Sequence, residues 1–136
     1  MPATEGGMAV FLACEQKTFV IYIDPHVGNI LRLVLNGERK ERPLTHDLIG
    51  QIFTGFEISL DRVLIHHVEN SVFYARLFLV MKNELGTKIV EMDARPSDAI
   101  VLAVRAKRPI LVTENVLNAV DDMRGVLEKI LKLKSS

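Results

Sequence analysis

Two short segments of the chain contain the residue types on which catalysis depends. They are RPLTHD at residues 42–47 and DARPSD at residues 93–98, and each combines an Arg-Pro pair with a hydroxyl residue and an aspartate. Because Pro, Ser, Thr and Asp favour the first turn of a helix, we expect a helix to begin in both segments. A helix start presents unpaired N–H groups and about half a positive charge, which together can bind an anion such as phosphate.

The first segment contains both a cation and a titratable ring. Arg42 has the planar set of donors that suits phosphate, and His46 exchanges a proton near neutral pH. Asp47 could orient a water molecule or bind a metal ion. In the alternative interpretation Thr45 caps the helix, Asp47 complements the helix dipole, and His46 is simply exposed.

The second segment is richer in carboxylates. Glu91 and Asp93 are two apart in a predicted strand and therefore share one face, and Asp98 follows in the next helix. Converging carboxylates hold hard cations such as Mg²⁺, which lower the pKa of bound water and offset charge on phosphate. Arg95 would also offset phosphate charge. Alternatively, Arg95 and Asp98 form a structural ion pair and Ser97 caps the helix.

Other polar residues suggest weaker sites. His66 and His67 are neighbours in a predicted strand, so we expect them to point to opposite faces. Arg105, Lys107 and Arg108 form a small basic group that could follow a phosphate backbone or could be a solvated helix end.

Hydrophobic periodicity predicts the elements that position these residues. Strands are predicted at residues 8–14, 18–23, 58–68, 72–82, 88–94 and 110–112. Helices are predicted at residues 25–36, 45–55 and 96–107, with a last helix after Thr113 that Gly125 interrupts. Antiparallel strand pairs separated by helices indicate an α+β fold: an antiparallel-rich mixed sheet with about four helices packed on it and a single core.

Length and charge limit the possible functions. The chain has 136 residues, with 17 Lys and Arg against 17 Asp and Glu, so its formal net charge is zero. We expect one domain at residues 8–136 after a disordered leader at residues 1–7. Zero net charge excludes the strong basic field of a tight duplex binder, so any nucleic-acid contact would be local, and it favours self-association as a homodimer.

Cysteine content and hydropathy indicate a cytoplasmic protein. Cys14 has no second cysteine with which to form an intramolecular disulfide, and the chain has no cysteine cluster for zinc. No apolar run has the length of a membrane span, and the first residues lack a secretory pattern.

Four stretches of the sequence resemble the bifunctional nuclease family. They are RPLTHDLI (42–49), RVLIHHVENSVFYARLFL (62–79), DARPSDAIVLAV (93–104) and PILVTENVL (109–117). The resemblance implies a nuclease that acts on both DNA and RNA, with an α+β fold that associates as dimers. The polar positions shared with that family are Arg42, Thr45, His46, Asp47, Asp93, Arg95, Ser97 and Asp98.

The resemblance and the residues together give a specific hypothesis, a nuclease that hydrolyses phosphodiester bonds through an activated water. The expected catalytic residues are His46, Asp47 and Asp98. The expected phosphate-binding residues are Arg42, Thr45, Arg95 and Ser97. Candidate ligands for Mg²⁺ or Mn²⁺ are Asp47, Asp93 and Asp98. The alternative is a non-catalytic dimeric ligand-binding or interaction module in which the same residues cap helices and form ion pairs.

Overall fold

Two β-sheets make up the strand content of the part of the chain described by a computed structural model, residues 3–4, 7–38 and 44–135. The first sheet is antiparallel and contains β1 (Ala3–Thr4), β2 (Gly7–Ala13) and β3 (Thr18–Ile23). The second contains β4 (Ile58–Glu69), β5 (Val72–Asn83), β6 (Gly86–Ala94) and β7 (Ile110–Val112). Its order is β6-β5-β4-β7, with β7 parallel to β4 and the other neighbours antiparallel.

Five helices accompany these sheets among the described residues. They are α1 (Pro25–Leu35), α2 (Thr45–Gly55), α3 (Pro96–Ala106), α4 (Glu114–Ala119) and α5 (Arg124–Ser135). The predicted α+β fold is confirmed, although the strands divide between two sheets and the last predicted helix forms as two. None of the described helices combines the length and the apolar character needed to cross a membrane.

Helix α3 is the central element of the fold. It packs against α1, α2, β4 and β5, and Ala99, Val101 and Ala103 are completely buried. Its apolar sequence predicts this position, because a helix that is hydrophobic on nearly every side must be covered on every side. The first turn of α3 contains Asp98 and directly follows Arg95. This turn is therefore fixed relative to the rest of the core.

Local sequence accounts for several element boundaries. The Asp24 side chain accepts a 2.6 Å hydrogen bond from the His26 N–H, and Pro25 occupies the first position of α1. The β4–β5 hairpin turns at Asn70 and Ser71, which have φ angles of 51° and 65°. Two successive left-handed residues match the twist of a hairpin.

The last predicted helix breaks earlier than the sequence indicates. The break lies at residues 120–123, and Gly125 is inside the first turn of α5. The Met123 N–H donates to the Thr18 carbonyl at 2.6 Å, and the Asp122 carboxylate accepts from the N–H groups of Thr18 and Arg124. Contacts with β3, rather than Gly125, therefore interrupt the helix.

Strand β4 contains two bulges, at Asp61 and His66, where the register with β5 shifts. Ile65 and Val68 both pack on the core, so the two residues between them lie on the side of the sheet away from it. The prediction that His66 and His67 point to opposite faces is therefore wrong. A bulge depends on the partner strand, so periodicity within β4 alone does not reveal it.

Candidate functional site

The first turns of α2 and α3 meet in the structure. His46 Nε2 lies 2.9 Å from Asp98 Oδ1, although the two residues are 52 positions apart in the sequence. His46 is in the first turn of α2 and Asp98 in the first turn of α3. The two segments predicted to do chemistry are thus brought into direct contact.

The imidazole of His46 is buried, and one of its nitrogens has no partner. Its side chain is 6% exposed, and Nδ1 lacks a hydrogen-bond partner among the described residues. In the tautomer that donates from Nε2 to Oδ1, the Nδ1 lone pair is left as a proton acceptor. The alternative in which His46 is an exposed helix-start residue is wrong.

Arg95 completes a chain of contacts from the interior to the surface. Its Nε and Nη2 atoms each lie 3.1 Å from Asp98 Oδ2. The exposed fraction rises from 32% for the Asp98 side chain to 69% for that of Arg95. We refer to His46, Asp98 and Arg95 as the helix-start cluster. Asp98 uses one oxygen for the histidine and the other for the arginine.

Asp47 caps α2 and forms its hydrogen bonds with residues outside the helix-start cluster. Its Oδ2 accepts from the Leu44 N–H at 3.0 Å, and its Oδ1 accepts from Arg105 Nε at 3.0 Å. The Leu44 amide, followed by Arg105, holds the pKa of Asp47 below its usual value against the opposing effect of burial. Thr45 is exposed at the first position of the helix, and the predicted cap by its hydroxyl is replaced by Asp47.

Gly50 allows Arg105 to reach Asp47. A Cβ atom at position 50 would collide with the Arg105 guanidinium where it now lies, so a larger residue there would force this side chain to move. The sequence places Arg105 in a small basic group that could follow a phosphate backbone or could be a solvated helix end. It gives no indication of the contact with Asp47, which depends on how the two helices pack.

The remaining predicted site residues do not belong to the helix-start cluster, and one of them lies outside the residues that the structure describes. Ser97 is buried in the first turn of α3 and makes no side-chain cap. Asp93 is exposed on β6 opposite Arg76 of β5. Arg42 lies outside the described residues, so its place in the site stays a prediction.

The three carboxylates expected to bind a metal ion are not gathered. Asp47 faces Arg105, Asp98 faces His46 and Arg95, and Asp93 is on β6. Among residues 8–38 and 44–133, no group of three or more His, Cys, Asp or Glu side chains has the arrangement of a metal site. The described residues therefore do not fit a cation held by these three side chains.

Comparison with known protein families identifies the family of this chain. Residues 10–123 match the bifunctional nuclease domain. The chain belongs to the bifunctional nuclease domain family. The resemblance inferred from the sequence motifs is thereby confirmed, and the matched range includes every residue of the helix-start cluster.

Two curated relatives of this bifunctional nuclease domain come from two strains of Mycobacterium tuberculosis. Each is named an uncharacterized protein and is 34% identical over 97 residues. The match covers 71% of this chain and 55% of each relative, so the chain spans about half the length of the curated relatives it matches. Their names describe no activity.

Proposed function

We propose that this bifunctional nuclease domain hydrolyses phosphodiester bonds in DNA and RNA, with the helix-start cluster as its catalytic centre. The observation that supports the proposal most strongly is the 2.9 Å contact between His46 and Asp98. It joins an acid–base side chain to an orienting carboxylate within a nuclease-related family.

Because the proposed nuclease cuts both DNA and RNA, its nucleophile must be one that can attack either polymer. DNA lacks the 2′-hydroxyl that many ribonucleases use, so a single site that cuts both polymers must activate water. Removing a proton from that water requires a base whose pKa lies near neutrality, which histidine provides.

In the proposed reaction His46 accepts at Nδ1 the proton of the water that attacks phosphorus, the bond from phosphorus to the leaving sugar oxygen breaks, and that oxygen takes a proton from solvent. Asp98 holds the Nε2 proton, fixes the orientation of the ring and stabilises the imidazolium that forms. Because the His46 side chain is nearly buried, the proposal requires the start of α2 to shift when substrate binds, so that water reaches Nδ1.

The growing negative charge on the phosphate requires cations and N–H donors. Arg95 is the exposed member of the helix-start cluster and can turn one edge of its guanidinium to a phosphate oxygen. The unpaired amides in the first turn of α3 are a second source of donors. We propose Arg42, Thr45 and Ser97 as further phosphate contacts.

Asp47 has a supporting role in this proposal. Both of its oxygens are engaged and its pKa is low, so it is a poor proton acceptor but a stable anchor for Arg105. It would orient the catalytic turn of α2. No step of the proposed reaction passes through a metal ion, and Mg²⁺ and Mn²⁺ are therefore variables of the assay.

Cleavage assays of paired variants test the proposal. Labelled single- and double-stranded DNA and RNA are incubated with the wild-type chain and with the His46→Ala, Asp98→Ala double variant, with and without Mg²⁺ or Mn²⁺. We expect cleavage by the wild-type chain and a loss of about 100-fold or more in the variant, the usual range for removing an acid–base group.

His66→Gln is the matched control. His66 also has a buried ring nitrogen without a partner, Nε2, but it is on β4 and outside the helix-start cluster. Full activity in the double variant, or an equal loss in the control, would remove the assignment.

A non-catalytic dimeric ligand-binding or interaction module is the second candidate. Burial of His46 and engagement of both Asp98 oxygens favour it, because a purely structural ion-pair network has the same arrangement. Retention on immobilised single-stranded DNA at low salt, lost as salt rises, supports the nuclease, and absence of binding at every salt concentration supports the module.

We place either activity in the cytoplasm. Cys14 is a free cysteine, and the chain offers no intramolecular disulfide of the kind that stabilises small secreted domains.

A further inference from the structure

An open groove of about 960 Å³ lies between the ends of α2 and α3, the start of β4 and the outer face of the β5–β6 hairpin. Four cationic side chains line it: Arg62, Lys82, Arg105 and Arg108. We call it the basic groove. Its size is at the upper end of the range of about 300–1,000 Å³ that ligand pockets occupy.

Asp61 holds two of these cations side by side. Its carboxylate lies 2.6 Å from Arg62 Nη1 and 3.6 Å from Arg108 Nη2, and its carbonyl accepts from Arg108 Nε at 3.0 Å. The bulge at Asp61 turns this residue and Arg62 to the same side of β4. Both guanidinium groups are therefore positioned before any ligand arrives, which reduces the entropy lost on binding.

An apolar wall lies next to these cations. The Arg62 guanidinium is 3.9 Å from the centre of the Phe78 ring, a cation–π contact that leaves the guanidinium edges available for hydrogen bonds. Val80 and Ile89 continue the wall along the hairpin, and Ile89 is 66% exposed.

The charge of the basic groove is positive in a chain whose net charge is zero. Only Glu57 and Asp61 oppose the four cations in its lining. Lys82 has no ion-pair partner among the described residues, and the carboxylate of Asp61 is shared between two arginines.

We propose that the basic groove binds the phosphodiester backbone of a single-stranded nucleic acid. The cations would contact successive phosphates, and the apolar wall would cover unpaired bases or sugars. A duplex gains little from that wall because its bases are stacked inside. The inference rests on the proposed function, and Arg105 links the groove to the catalytic turn of α2 through Asp47.

Fluorescence anisotropy with a labelled oligothymidylate tests the proposal. Wild type, Lys82→Gln and the control Lys88→Gln are titrated at several salt concentrations. Thr87 and Ile89 line the groove, so Lys88 between them is on the opposite face of β6. Three or four phosphate contacts predict a slope of about −2 to −3 for log affinity against log salt, because each contact contributes about 0.7 on single strands.

We expect Lys82→Gln to weaken binding several-fold at low salt and to reduce the slope by about 0.7, while Lys88→Gln matches wild type. Combining Arg62→Gln with Arg108→Gln should weaken binding further. Lys82 makes no described ion pair, so the single variant remains informative even if the arginine pair is needed for folding. Equal binding by Lys82→Gln and wild type would overturn the inference.

The binding assay and the cleavage assay test the two proposals separately. Binding that depends on Lys82, without cleavage by wild type, supports the groove and removes the hydrolytic proposal. Cleavage by wild type that is unaffected by Lys82→Gln and by the arginine pair overturns the groove and leaves the hydrolytic proposal intact.

Discussion

Single residues in this domain have roles that residue type alone does not fix. His46 and His66 are both histidines with an unpartnered ring nitrogen, yet only His46 contacts a carboxylate on another element at hydrogen-bond distance. Asp47 and Asp98 are both early helix residues, and only Asp98 joins the histidine. The sequence predicts that these residues matter as helix-start groups, whereas the packing of α2 on α3 decides which of them meet.

The cap formed by Asp47 gives a prediction about stability. Asp47→Ala removes the acceptor of the Leu44 N–H and the partner of Arg105, so we expect unfolding free energy at pH 7 to fall by about 0.5–2 kcal/mol, the usual range for a lost cap. Urea denaturation measures this loss. Asp121→Ala is the control, because Asp121 has no described partner.

The contribution of Asp47 depends on pH in a defined direction. Its folded-state pKa is lower than its unfolded value, so the stabilisation is present above the ordinary pKa of an aspartate and disappears as pH falls through the lower folded pKa. The difference between wild type and Asp47→Ala should therefore shrink in acid. If the unfolding free energies of wild type and Asp47→Ala differ equally at pH 3 and pH 7, the charge of the carboxylate is not the source of the stabilisation.

The end of an element agrees with the sequence prediction where the residues that form it are neighbours in the chain. It differs from the prediction where residues distant in the sequence contact it. Asp24-Pro25 predicts the start of α1 because the cap and the helix are adjacent in the chain. The break between α4 and α5 is set by hydrogen bonds to Thr18, more than 100 residues away in the sequence. The bulges in β4 likewise depend on β5, and no pattern within a single strand encodes them.

Helix α4 is contacted by a lysine from the connection between β2 and β3. Lys17 Nζ donates to the carbonyls of Leu117 and Val120 at 2.6 and 3.0 Å, at the end of a helix that has only six residues. We expect Lys17→Met to lower unfolding free energy by about 1–3 kcal/mol because two carbonyls lose a charged donor. Amide exchange in α4 should accelerate at the same time.

Thermal unfolding and hydrogen exchange of Lys17→Met measure both effects, with the exposed Lys88→Met as the control for loss of a surface charge. If exchange in α4 stays at the wild-type rate while global stability falls, Lys17 stabilises the fold by some route other than its contact with this helix.

At the scale of the whole molecule, the outer strand β6 of the second sheet offers a surface for association. Strand β6 is an outer strand of the second sheet; Leu85 in the turn before it and Met92 within it are 98% and 47% exposed. An edge strand with apolar side chains favours pairing with another chain, and the zero net charge offers no repulsion against it.

We therefore expect a homodimer whose interface uses this strand edge or the last helix. Light scattering at micromolar concentration should give twice the mass of one chain. A mass equal to one chain at that concentration would contradict the expected dimer without affecting the proposed catalytic centre.

In the proposed reaction His46 and Asp98 act as one catalytic unit, and a double-mutant cycle tests this coupling directly. Single-turnover cleavage of one single-stranded DNA and one RNA is measured for wild type, His46→Gln, Asp98→Asn and the double variant. Each single change should slow cleavage by about 100-fold or more, and the double variant should be close to the slower single variant, because Asp98 acts through His46. Losses that multiply, or rates that stay near wild type, would contradict the account.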